Sequence, residues 1–209
     1  MKLRLLTAAL WILPVLPAIA DHDAVADLGC RPNDPTFDNG AVISAATRDG
    51  RVNDTLHFPG GIYYHSTTID SSDKDGLCFR GQGIAQWLVA GQHGSPARRG
   101  ASPAIFVYTG PADQPAWRLR GFGTRLEGIN IWRGFKAKPD WDGSAGRSVG
   151  LEITRTVPGS PSGKHSIGPV SLAGWDKAIS FVAPNHADST VFSYIHAEHN
   201  RTVVACTNA

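Results

Sequence analysis

The sequence predicts an all-β protein, a parallel β-helix of about seven coils with a short N-terminal capping helix. Three observations predict it. A short apolar–x–apolar triplet recurs at intervals of 21 to 28 residues, too close for separate domains and right for a stacked repeat. Gly and Pro together make 37 of the 209 residues, about one in six, so the chain turns often. Helical periodicity is confined to one stretch, Asp38 to Ala46.

In chain order, the first element is an address. Lys2 and Arg4 precede an apolar run from Leu5 to Leu16, and Ala18-Ile19-Ala20 leads to Asp21. This is the basic start, short apolar core and A-x-A site of a secretory signal peptide, so residues 1–20 are read as a cleaved leader. Pro14 and Pro17 make the run unsuitable as a spanning helix, and no stable membrane span is expected after cleavage. The expected location is secreted or periplasmic. Cys30, Cys78 and Cys206 are an odd number, which leaves one disulfide or three free thiols open; no C-x-x-C spacing suggests a metal cluster. Residues 21–50 form the N-terminal segment, in which Asp38-Asn39 starts a helix over Gly40 to Ala46 that covers the open edge of the first coil.

Residues 51–209 are the β-helix. Leu56-His57-Phe58 returns as Leu77-Cys78-Phe79, Ile105-Phe106-Val107, Ile129-Asn130-Ile131, Leu151-Glu152-Ile153, Ile179-Ser180-Phe181 and Val203-Val204-Ala205. Further apolar runs such as Trp87-Leu88-Val89 and Trp117-Arg118-Leu119 lie between, bounded by Gly, Pro, Asn or Ser. An antiparallel sandwich also uses many short strands. It needs Asp-Gly hairpins midway between matched strands, and Asp49-Gly50, Asp75-Gly76 and Asp142-Gly143 are not so placed. The chain stops in or just after the seventh triplet, which predicts an exposed last coil and either the N-terminal part of a longer protein or a truncated relative.

Asp38-Asn39 before Ala41-Val42-Ile43, Thr55 through Tyr63 with its F-P-x-G-x-Y turn, Thr68-Ile69, and Leu77 through Gly83 with a G-x-G corner resemble the N-terminal signature of the pectate lyase superfamily. The resemblance covers Gly29 to Gly83 and implies a right-handed parallel β-helix. Members include polysaccharide lyases, glycoside hydrolases and phage tailspike domains. The usual acidic pairs before the cap helix are reduced here to Asn33-Asp34 and Asp38-Asn39, and no catalytic motif after Gly83 carries across.

Composition narrows the partner. Of 20 basic side chains two lie in the leader, leaving 18 against 18 acidic ones, so the chain has no overall charge with which to grip nucleic acid. All eight histidines follow the leader, so the protein turns cationic below about pH 6.5.

If the triplets stack, their middle residues face outward as His57, Cys78, Phe106, Asn130, Glu152, Ser180 and Val204, with Arg80, Tyr108 and Trp132 two residues on. Arg80, Tyr108, Asn130, Trp132 and Glu152 then form a candidate polysaccharide-binding groove, since aromatic rings pack on sugar C–H faces and Arg or Asn binds hydroxyls and carboxylates. The competing reading is an ordinary solvent face, and a one-residue slip inverts the map. A second cluster, Asp176, Asp188, His196 and Glu198, supplies candidate catalytic groups. Two carboxyls suit a glycosidase. A base such as His196 or Lys177 suits a lyase, with Ca²⁺ as the cation it would need. The competing reading is a solvated polar edge. No other cofactor and no metal ligands are expected; His196-x-x-His199 is not a zinc motif. The function expected is a secreted β-helix that cleaves polysaccharide by lyase or hydrolase chemistry. The alternative is a non-catalytic carbohydrate-binding or adhesin-like surface protein.

Overall fold

Short runs that alternate apolar and polar residues, each ended by Gly, Pro or Asn, become strands here, because a run of three to six residues is too short to sustain a helix. The computed structural model describes residues 21–52, 54–84, 103–133, 147–154, 163–182 and 189–207. Among these, sixteen strands form three sheets. The first sheet runs β1 (His22–Asp23), β2 (Thr55–His57), β5 (Cys78–Arg80), β8 (Arg125–Glu127), β11 (Ser166–Ile167) and β14 (Val191–Phe192). The second runs β3 (Gly61–His65), β6 (Ala104–Tyr108), β9 (Ile129–Trp132), β12 (Val170–Ala173) and β15 (Ile195–Glu198). The third runs β4 (Ile69–Asp70), β7 (Trp117–Leu119), β10 (Val149–Ile153), β13 (Lys177–Val182) and β16 (Thr202–Thr207).

Every pairing is parallel. After β1 the chain visits first, second and third sheet in turn and then repeats one strand along, the path of a parallel β-helix. Among the described residues this happens in five sets of three strands. The seven triplets therefore do not lie one above another. The first two lie in the first sheet, the next two in the second, and the last three in the third.

Their registers also slip. Leu56 sits beside Phe79 and Ile105 beside Asn130, whereas Leu151 sits beside Ile179 as expected. The reason is that unequal connections, such as residues 85–102 and 134–146, separate the strands, so distance along the sequence does not measure distance around the coil.

Three inward ladders fill the interior: Leu56, Phe79, Leu126 and Ile167; Tyr63, Phe106, Ile131 and Leu172; Ile69, Trp117, Leu151 and Ile179. All twelve are buried, and each side chain of this size contributes roughly 1.5–3 kcal/mol by leaving water. Phe106, expected outside, stands at their centre. It stacks on Tyr63 with ring centroids 5.0 Å apart and meets Trp117 edge-on at 4.9 Å. Both faces of β6 are apolar, so alternation could not distinguish in from out. Gly81 is required by close approach, since any side chain there would strike the Gly128 carbonyl.

The helix α1 (Asn39–Arg48) is longer at each end than the expected Gly40 to Ala46. Asp38 caps it, accepting from the Gly40 and Ala41 amides at 3.1 and 3.4 Å. Its buried Ile43 and Ala46 join the core. Its polar side chains meet the backbone around β3 and β4. Asn39 Nδ2 donates to the Tyr64 carbonyl (3.0 Å), Ser44 Oγ to Thr68 (2.7 Å) and Thr47 Oγ1 to Asp70 (2.8 Å), while Ser44 Oγ accepts from the Asp70 amide (3.1 Å). At the opposite end β14, β15 and β16 are the last strands of their sheets, and Val191, Phe192, Tyr194, Val203 and Val204 stand exposed. All three cysteines are free, Cys30 and Cys78 buried and Cys206 exposed.

Candidate functional site

Inward residues of the second sheet leave their neighbours facing out, because side chains alternate along a strand. Register then lines the outward residues into two rows. One is Ile62, Ile105, Asn130, Ser171 and His196; the other is Tyr64, Val107, Trp132, Ala173 and Glu198. Four expected site residues, Asn130, Trp132, His196 and Glu198, are thereby brought onto one face, although the sequence separates the two pairs by more than sixty positions. Parallel neighbours in such a row lie about 4.8 Å apart.

The polar centre of this face is His196 with Glu198. Nε2 of the imidazole lies 3.4 Å from Glu198 Oε1, and both side chains are partly open to solvent. The contact lacks hydrogen-bond alignment; it becomes an ion pair when His196 carries a proton. Next along the row is buried Ser171, which accepts from Trp132 Nε1 at 3.5 Å, and one strand further is buried Asn130. Both amide hydrogens of Asn130 are used, one on the Gly83 carbonyl (2.9 Å) and one on Ala104 (2.8 Å). Its part is to hold the Gly81–Gly83 corner against the sheet. Trp132 is fully buried within a small apolar cluster with Ile105, Val107 and Ala173. Glu198 is the one carboxylate among the described strand residues of this face.

The other expected residues lie elsewhere, so the five-residue groove is not assembled. Arg80 is on the outward face of the first sheet, where its Nε donates to Glu127 Oε2 at 3.0 Å. Tyr108 points inward, its ring 5.1 Å from that of His65 and beneath the Arg133 guanidinium. Glu152 lies on the outward face of the third sheet and accepts from Arg118 Nε at 2.6 Å. Asp176 is buried at the turn into β13, its carboxylate 3.3 Å from Arg201 Nη1. Asp188 lies outside the described residues.

Sequence reasoning missed Ser171 and a ladder of charges on the third sheet. Asp70, Arg118 and Glu152 are register neighbours there, and Arg120 clamps Asp70 with Nε–Oδ1 at 2.9 Å and Nη2–Oδ2 at 2.7 Å. The R-x-R pair of Arg118 and Arg120 was the available signal, since that spacing puts both on one face of a strand. Such mutually satisfied pairs hold the coils together more readily than they bind a ligand. Asn200, within an N-x-T glycosylation motif, is likewise committed: it accepts from the Trp175 amide and donates to the Leu172 carbonyl, both at 2.9 Å.

Among the described residues no three His, Cys, Asp or Glu side chains gather to hold a metal ion. No described helix is long and apolar enough to cross a membrane. Comparison with protein-family models, curated proteins and solved structures found no match to this chain.

Proposed function

We propose that the chain is a secreted or periplasmic right-handed β-helix, capped by α1 and related to the pectate lyase superfamily, that acts on polysaccharide through the outward face of its second sheet. The observation that carries this is the pairing of His196 with Glu198 on that face, both partly open to solvent and in register with buried Ser171 and Ala173 of β12. A glycosidase needs two carboxyls astride the bond, and the described strands of this face offer one. An imidazole beside a carboxylate suits proton abstraction instead. His196 takes the proton next to the substrate's carboxyl group, and the C–H electron pair becomes a C=C bond as the glycosidic C–O bond on the adjacent carbon breaks. The departing oxygen gains a proton from water, and Glu198 stabilises the imidazolium that forms. This favours eliminative cleavage over hydrolysis.

The test is incubation of the chain with polyuronates and neutral glycans, with and without Ca²⁺. Elimination yields unsaturated, ultraviolet-absorbing ends; hydrolysis yields reducing ends without them. His196→Ala is expected to lower the rate on the order of a hundredfold or more. Binding without either product supports the adhesin-like alternative, and no binding to any glycan overturns the proposal.

A further inference from the structure

We infer that α1 is an acid-released cap: protonation of buried His65 undocks the helix and bares the outer edges of β3 and β4, while the coils beneath stay folded. His65 ends β3, and its ring is enclosed by three other parts of the chain. β6 sets Phe106 and Tyr108 against it, with ring centroids 6.1 and 5.1 Å away. The turn after β3 brings the Thr67 carbonyl to Nδ1 at 2.9 Å. α1 lies over it at Gly40, where any side chain would strike that carbonyl and crowd Nδ1. A carbonyl oxygen only accepts, so Nδ1 carries the hydrogen and Nε2 the lone pair. Nε2 is buried without a partner. Acid therefore puts a proton, and a charge, where the closed pocket offers no acceptor. Burial accordingly holds the pKa down at about 4.

The charges around the ring do not relieve this. The buried residues of α1 are uncharged, and its first turn is the positive end of the helix dipole. Burial pushes the phenols of Tyr63 and Tyr108 up, so both stay neutral. Beyond the Tyr108 ring lie the Arg133 guanidinium, 5.1 Å from its centroid, and exposed Asp113. Asp38 is the carboxylate that acts on His65 directly, and its oxygens are taken. Oδ1 accepts from the Gly40 and Ala41 amides, and Oδ2 from the Ser66 hydroxyl at 2.8 Å and the Thr67 amide and hydroxyl at 3.1 and 2.6 Å. These bonds tie the start of α1 to the turn after β3. Swinging Asp38 toward an imidazolium would undo the joint that holds the helix.

The charge is met by water, and the element that yields to admit it is α1. β3 and β6 pair along the whole of β3. The helix is held by Ile43 and Ala46 and by side-chain bonds from Asn39, Ser44 and Thr47. Ten residues are too few to stay helical once undocked, so release also melts the cap. Closure is complete above the unfolded pKa of about 6.5, and release advances as pH falls toward 4.

Hydrogen exchange on the intact chain, read as protection factors from pH 7 to pH 4, tests this. By pH 4 the amides of α1 are expected to be at least a hundredfold less protected than those of β6 and β9. The His65 imidazole, followed by NMR in the same chain, is expected to titrate with the midpoint of that loss. His65→Gln donates to Thr67 but does not titrate, and is expected to keep α1 protected at pH 4. An imidazole that titrates while α1 stays protected overturns the inference, as does an α1 still closed at pH 4. Simultaneous loss of protection in α1, β6 and β9 overturns local release, and a His65→Gln chain that still sheds its helix overturns the part given to His65.

Discussion

The two ends of the stack meet the same physical problem and answer it differently. Each end has strands with one side unpaired: β3 and β4 at the N-terminal end, where β1 already pairs with β2, and β14, β15 and β16 at the other. At the N-terminal end a ten-residue helix lies over the coil, buries Ile43 and Ala46, and places Asn39, Ser44 and Thr47 against backbone groups around β3 and β4. At the other end the described residues offer no such cover, and apolar side chains stand in solvent. At the N-terminal end one element thus supplies both apolar area and hydrogen bonds to the coil beneath it. The helix shows how little chain this takes.

The comparison is broken most directly by removing the apolar part of the cover. Ile43 is 0% exposed, and its truncation leaves a cavity that the rigid coil cannot fill. Ile43→Ala is expected to lose about 2–5 kcal/mol in urea unfolding. A loss below about 1 kcal/mol would mean that the helix rests on the coil without belonging to its core.

A second route is acid. His65 is buried under α1 between the rings of Phe106 and Tyr108, and its Nδ1 bonds to the Thr67 carbonyl at 2.9 Å. Its Nε2 has no partner. Burial holds its pKa down at about 4, against the opposing pull of the Thr67 carbonyl and of Asp38. A base with a depressed folded pKa stabilises the fold above its unfolded value of about 6.5 and loses that contribution as pH falls toward 4. The loss is about 3 kcal/mol at most, from the conversion of 1.36 kcal/mol per pKa unit. His165 is held down to about 4 by burial as well and adds a loss of the same sign. Asp38 works in the same direction at lower pH. Burial raises its carboxyl, but hydrogen bonds from Thr67 and Ser66 outweigh this and hold it below the ordinary value. Urea unfolding at pH 7, 5.5 and 4.5 measures the slope, and His65→Gln is expected to flatten it by about half. An unchanged slope would remove His65 from the account.

How much of this was legible beforehand differs between the same two ends. Around α1 the signals are local. Asp38 before a run of small and apolar residues marks a helix start, and Phe58, Pro59 and Tyr63 mark the first turn, where Tyr63 OH does return to the Pro59 carbonyl at 2.8 Å. Further along, stacking depends on connections of unequal length. Phe106 was placed outside and lies inside, and Arg80, Asn130 and Glu152, read as one groove, sit on three sheets. His196 and Glu198 could be assigned to one face because they are two apart on one strand. Their meeting with Asn130 and Trp132 could not, since register between coils is set by packing and not by spacing.

The smallest expected effect is the matched experiment at the open end. Val204 occupies an inward row, beside Ile179, yet is 49% exposed. If exposure and not row decides its worth, Val204→Ala changes the stability of the chain by less than about 0.5 kcal/mol in urea unfolding, although Ile43→Ala removes only slightly more side chain. A loss as large as that of Ile43→Ala would mean that Val204 is covered in solution, and the contrast between the two ends would disappear.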